Sequence, residues 1–299
     1  MSREVEDKLA RIPVLNKIVS ALKRVKFSFL EGYSLYDLIE LYLLGIIKGA
    51  FSYRAGSIAF SFFMALFPFA LFILNLIPYI PIDNFQADFL QFIENSVPPN
   101  TYEAIQSIIL DIMNNSYKSL LSSGFLLSIF LMTNGVFAII GGFESSYHIT
   151  ISRNIIRQYL VALALSLILS FLLIFSVAFY VILEVLIYRF GIGVNWLVWV
   201  RNLYLLVVVL MTTSILYKFG AKETKGVSFI SIGSVFTTIL YVLTSYGFGI
   251  YVLRFARYNE LYGSIGTLLV VMFYLWINCM ILLLGFELNL AIRKIKLKK

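Results

Sequence analysis

Glu287 makes the heaviest demand on its surroundings. It lies in the run LLLGFELNLAI, about a turn and a half before Arg293. An ionised side chain at such a depth costs at least about 2.5–3.5 kcal/mol on insertion scales, so it must be paired, hydrated or turned towards a cavity. Arg54, Glu144 and His148 fall at the same end of neighbouring apolar segments, and Glu144 and His148 stand four residues apart, the spacing of one helix face. A carboxylate beside Arg54 or His148 can act as an ion pair or proton relay that opens when a proton or solute arrives. The same residues also suit a fixed salt bridge locking the first apolar segment to the last, which is the better supported reading on residue types alone.

A second set of residues shapes the interior. Pro68 interrupts an apolar run and frees the carbonyl of Met64, which favours a kink that either gates or shapes the bundle. Asn75, Asn134 and Asn278 sit within apolar runs, where they line a polar cavity or hydrogen-bond across helices. Other chemistries find little equipment. There is one His, His148, and one Cys, Cys279, without clustered ligands, and no GxxxxGK[ST], GxGxxG or GxSxG pattern occurs. No metal, nucleotide or other cofactor is expected, and any transport is gradient-driven or passive.

These residues need long apolar elements to hold them. Of 299 residues, 60% are hydrophobic and 13% charged, with a mean hydropathy of +0.89, against an apolar share of about 45–50% in soluble domains. The chain is therefore expected to be all-α, a polytopic membrane bundle. Six stretches reach the length of about 20 residues that crosses a hydrocarbon core: 57–80, 120–142, 159–187, 197–219, 227–253 and 264–292. The net charge of +8 fits this placement, because 19 of the 24 Lys and Arg residues fall on one side of the six spans. That bias puts both termini in the cytoplasm, and nucleic acid is not an expected partner. Tyr79, Tyr188, Trp196, Trp199, Tyr251 and Tyr258 gather at the opposite ends, as interfacial aromatics do.

Three appendages complete the plan. Residues 1–54 read as interfacial helices. The first carries Leu9, Ile12, Leu15, Ile18, Val19, Leu22 and Val25 between basic residues and is expected to lie on the anionic cytoplasmic leaflet. The second starts at Ser34 with Asp37 three residues on, and is too short in its apolar core to span. Residues 83–119 read as an extracytoplasmic helical hairpin broken at Pro98 and Pro99, its second helix opened by Asn100 and Glu103. The transmembrane domain covers 55–292, and 293–299 is a basic tail. Small residues at spacing four, Ser57, Ser61 and Ala65 and then Ala162, Ser166 and Ser170, predict close helix packing.

Three segments together resemble the YihY/BrkB family of bacterial inner-membrane proteins. RAGSIAFSFFMALFPFALFIL (Arg54 to Leu74) is similar to that family's AxxxAYxxxxSLFP signature, with Phe60 for Tyr and Ala65 for Ser. TNGVFAIIGGFESSYHI…SRNIIRQYL (Thr133 to Leu160) resembles its second-to-third-span segment, with Arg153 or Arg157 on the basic position. Tyr262, Gly263, Ser264, Trp276 and LLGFELN (Leu283 to Asn289) resemble its YGS…W…LxGAELN ending, with Glu287 on the acidic position and Phe286 in place of a small residue. The resemblance implies six helices in a bacterial inner membrane, in a family once mislabelled as a tRNA-processing ribonuclease, linked in one member to serum resistance, and without an established biochemical activity. The expected function is transport of a lipid or amphipathic solute through a cavity between the spans, with Glu287 as gate. The alternative is a non-catalytic scaffold or envelope-maintenance factor acting through lipids or partner proteins.

Overall fold

The computed structural model describes residues 22–25, 34–76, 85–96, 102, 106, 109–110, 118–189, 194–255 and 264–297. Regular structure among them is helical: α1 Leu35–Lys48, α2 Phe51–Leu76, α3 Phe85–Ser96, α4 Lys118–Glu144, α5 Ile155–Arg189, α6 Val194–Phe219, α7 Ile232–Phe255 and α8 Ser264–Leu297, with a 3-10 turn at Lys222–Gly226. Five helices contain stretches long and apolar enough to cross a membrane: Leu126–Glu144, Ile155–Tyr180, Asn202–Phe219, Ile232–Tyr251 and Leu268–Leu297. The other expected span, 57–80, begins within α2 and runs beyond the described residues. The basic amphipathic helix expected at 9–25 lies outside them apart from 22–25, as do Pro98, Pro99, Asn100 and Glu103 of the expected hairpin.

The described chain forms two compact units. The first takes in Met1–Ala59, Ala138–Val161 and Leu203–Lys299, and the second Phe60–Phe137 and Ala162–Asn202.

In the first unit α1 starts where the Ser34–Asp37 pattern predicts. The Ser34 hydroxyl accepts from the Asp37 amide at 3.3 Å while the Asp37 carboxylate accepts from the Ser34 amide at 2.9 Å, a reciprocal cap for two otherwise orphaned donors. At 14 residues α1 is about 21 Å long, short of the hydrocarbon thickness. It buries Leu38 against Ala291, Ile292 and Ile295 of α8. A tight turn follows in which Ala50 takes φ 47°, the left-handed region that costs an L-residue about 1–2 kcal/mol. α2 then begins at Phe51, six residues before the expected span, so Arg54 lies in its first turn rather than ahead of it. α7 begins at Ile232, not Val227, because Ser231 and Ser234 cap it reciprocally. Each amide donates to the other's hydroxyl, at 2.9 and 3.1 Å.

α7 packs on α8 through glycines. A Cβ at Gly285 would overlap the Thr237 hydroxyl and stand 2.6 Å from the Tyr217 hydroxyl, and one at Gly233 would run into the Gly285 carbonyl. Asn289 ties the joint, accepting from the Gly233 amide and donating to the Ser231 hydroxyl, both at 2.8 Å.

In the second unit α4 meets α5 through small polar residues. The Thr133 and Ser166 hydroxyls, both fully buried, lie 3.2 Å apart, and Ser170 donates to the Met132 sulfur. Gly135 leaves ordinary contact distance to Phe62 and Ala65 of α2. The small-residue spacing therefore serves packing here, as expected.

Candidate functional site

The centre of the first unit is a buried ion pair. The Arg54 Nη2 donates to Glu287 Oε1 at 2.7 Å, with the two side chains 5% and 0% exposed. Local helix geometry explains the placement. At the end of α4 the Ser146 amide turns back to the Phe143 carbonyl, so the Gly142 carbonyl lacks its usual partner four residues on. The Arg54 Nη1 fills that vacancy at 2.8 Å, setting a cation against the negative end of the α4 dipole. The second Glu287 oxygen accepts from the Ser146 hydroxyl at 2.9 Å, and the His148 amide donates to the same hydroxyl at 3.2 Å.

α1 closes over this pair. The His148 Nε2 lies 2.8 Å from the Leu41 carbonyl, which can only accept, so the ring is the Nε2–H tautomer. A Cβ at Gly45 would come within 2.6 Å of Glu287 Oε2 and 2.9 Å of His148 Nε2. Gly45 is thus a helix-interior glycine held by close approach. Among the described residues, Arg54 Nε and His148 Nδ1 are buried without a hydrogen-bond partner. Burial holds the His148 imidazole below its ordinary value, against the raising effects of the Leu41 bond and the Glu287 charge. Burial and the Glu287 charge push the Tyr42 hydroxyl up to about 12.

The sequence-predicted residues part company here. Arg54 and Glu287 form the pair directly, whereas Glu144 belongs to a separate clamp. It accepts from the Arg153 amide at 2.8 Å and Arg153 Nη1 at 2.9 Å, while the same guanidinium donates to the Gly220 and Phe219 carbonyls at the end of α6. Glu144 and His148 do not share a helix face, because α4 ends at Glu144 and His148 lies in the following turn. Of the two arginines that are alternatives for the family's basic position, Arg153 is half-buried and makes the contacts to Glu144 and the end of α6, and Arg157 is exposed. Asn278 is occupied by its own helix, its Nδ2 donating to the Tyr274 carbonyl at 2.7 Å. Asn134 is half-buried on α4. Pro68 and Asn75 lie within the continuous helix α2, with side chains outside the described part.

Several contributors carry no signal in the sequence pattern. Ser146 and Gly45 complete the Glu287 shell. Glu223 accepts from the Thr150 amide and hydroxyl at 2.8 Å and the Ile151 amide at 2.6 Å, and pairs with Arg293 at 3.1 Å, latching the 3-10 turn to α8. Burial alone would raise the Glu223 carboxyl, but these bonds outweigh it and hold the group below its ordinary value. Tyr217, fully buried, donates to the Leu282 carbonyl at 2.7 Å and lies beside the stacked Phe143 and Phe286 rings, 4.0 Å apart. Phe286, which departs from the small residue of the family pattern, is thus a packing partner of Phe143. Among the described residues no three His, Cys, Asp or Glu side chains gather to hold a metal.

This geometry rests on the segments that carry the family resemblance. The chain is 28% identical over 258 residues to the putative ribonuclease-like protein YfkH of Bacillus subtilis (strain 168), covering 81% of this chain and 90% of that one. It is 32% identical over 60 residues, 20% of each chain, to the UPF0761 membrane protein PSHAa0171 of Pseudoalteromonas translucida (strain TAC 125). No solved structure matches. Residues 46–299, which hold Arg54, Glu144, His148 and Glu287, match the family described as virulence factor BrkB, and the chain is a multi-pass membrane protein belonging to that family.

Proposed function

We propose that this protein is a gradient-driven or passive transporter of a lipid or amphipathic solute, with the Arg54–Glu287 pair as the closure at one end of its path. The observation that carries the reading is the position of that pair. A carboxylate with no exposed surface, near the end of an apolar helix, is retained against a substantial desolvation penalty. Two neighbouring buried polar atoms, Arg54 Nε and His148 Nδ1, are poised to gain partners when the closure rearranges. The Lys and Arg bias supports a cytoplasmic position for this end, with both termini on that side of a bacterial inner membrane.

The name of the Bacillus subtilis relative suggests RNA cleavage, which this site does not favour. It offers one imidazole, held towards the Leu41 carbonyl, and one carboxylate already engaged by Arg54 and Ser146, without a free acid-base pair. Water access tests the transport reading. With Cys279 replaced, single cysteines at Asn75, Asn134 and Asn278 are labelled by a membrane-impermeant thiol reagent from either side of sealed vesicles. Labelling of one deep position from both sides is the expected result. A bundle sealed at all three overturns the cavity and leaves the scaffold or envelope-maintenance reading.

A further inference from the structure

We infer that Lys48, Tyr147 and Lys294 form a docking site for the phosphate of an anionic phospholipid headgroup. The Lys48 ammonium lies 5.2 Å and the Lys294 ammonium 5.7 Å from the centre of the Tyr147 ring, both within cation–π reach. Two like charges gathered at one ring stand no more than about 11 Å apart, so at a Debye length of about 10 Å part of their repulsion survives screening. Among the described residues neither ammonium has a carboxylate partner. An anion within reach of both ammonium groups offsets that repulsion, and the Tyr147 hydroxyl is a neutral donor on the same ring.

Location selects a lipid as the source of that anion. Tyr147 follows the candidate span Leu126–Glu144 by three residues, and Lys294 lies in the last turn of the span Leu268–Leu297, so both stand at headgroup depth. Leu43 and Ile47, one turn apart on α1 and both exposed, give the helix that carries Lys48 the apolar character that an acyl chain requires. The site is also joined to the buried closure. α1 supplies Lys48 and Gly45, the turn after α4 supplies Tyr147 together with Ser146 and His148, and α8 supplies Lys294 and Glu287. A headgroup that draws the two lysines together thus acts on the three segments around the Arg54–Glu287 pair.

The inference deepens the lipid reading of the proposed function, but its test measures binding without transport. A protein that binds but moves no lipid therefore fails that reading and not this one. The full chain in detergent is titrated with phosphatidylglycerol or phosphatidylcholine, and bound lipid is counted by native mass spectrometry. Wild type is expected to prefer phosphatidylglycerol. The Lys48→Gln/Lys294→Gln variant is expected to bind it about thirtyfold more weakly, from the typical contribution of two basic side chains at a membrane surface. Lys48→Arg/Lys294→Arg is expected to restore it. Equal phosphatidylglycerol binding by wild type and the Gln variant overturns the inference. So does displacement of the lipid by millimolar inorganic phosphate, which would assign the site to the free anion.

Discussion

Replacing Glu287 by Gln keeps the shape of the buried closure and removes its negative charge, leaving the Arg54 guanidinium at 5% exposure with the Gly142 carbonyl and a neutral amide as partners. Breaking a buried pair by removing one partner typically costs about 3–5 kcal/mol, and because Gln retains one acceptor for Arg54 Nη2 the lower end, about 3 kcal/mol, is expected. The cost lies in the stranded charge rather than in a lost contact. The double variant Arg54→Met/Glu287→Met should therefore recover to within about 1 kcal/mol of wild type, as buried pairs replaced by apolar residues often do. Reversible unfolding by SDS in mixed micelles, followed by near-ultraviolet circular dichroism, measures both. Glu287→Gln within about 0.5 kcal/mol of wild type would refute the reasoning, because the charge it strands would then be solvated. A double variant that loses the sum of the two single losses would also refute it, because the two residues would then be uncoupled.

Two further outcomes follow from the same geometry. Gly285→Ala, whose Cβ would overlap Thr237, is expected to lose about 2 kcal/mol or more by forcing α7 from α8, whereas Gly56→Ala, with open space around it, should be neutral or gain up to about 1 kcal/mol; thermal unfolding of the purified variants checks the contrast. The depressed Glu223 carboxyl contributes stability that is complete above the ordinary carboxylate value and is lost as pH falls through its folded value, so the protection of the Thr150 and Ile151 amides relative to their intrinsic exchange at each pH should fall there in wild type and be low throughout in Glu223→Ala.

The fold was legible because its signals are long. Apolar runs of twenty or more residues survive any local misjudgement, and the described helices lie within a few residues of the expected ones from α4 to α8. The Ser34–Asp37 cap was legible because both partners are close in sequence. Depth alone brings Arg54 and Glu287 to one level in the sequence, so their pairing is one of several arrangements that the residue types allow. Its partners were hidden because they depend on chain ends. The Gly142 carbonyl becomes available only where α4 terminates, and that same termination removes His148 from the face of Glu144. Glycine in a helix interior was the unused signal. Gly45 and Gly285 both mark places where a side-chain group of another segment meets the backbone.

Passage through the bundle under control of the Arg54–Glu287 pair is measured directly as transbilayer movement of a fluorescent phospholipid in vesicles containing the purified full chain. Quenching from outside by an impermeant reductant reports the fraction that has crossed. Movement faster than in protein-free vesicles is expected, with a rate altered by Arg54→Met/Glu287→Met, the variant expected to keep the fold while abolishing the pair. Movement no faster than in protein-free vesicles, or a rate indifferent to that variant, would contradict it.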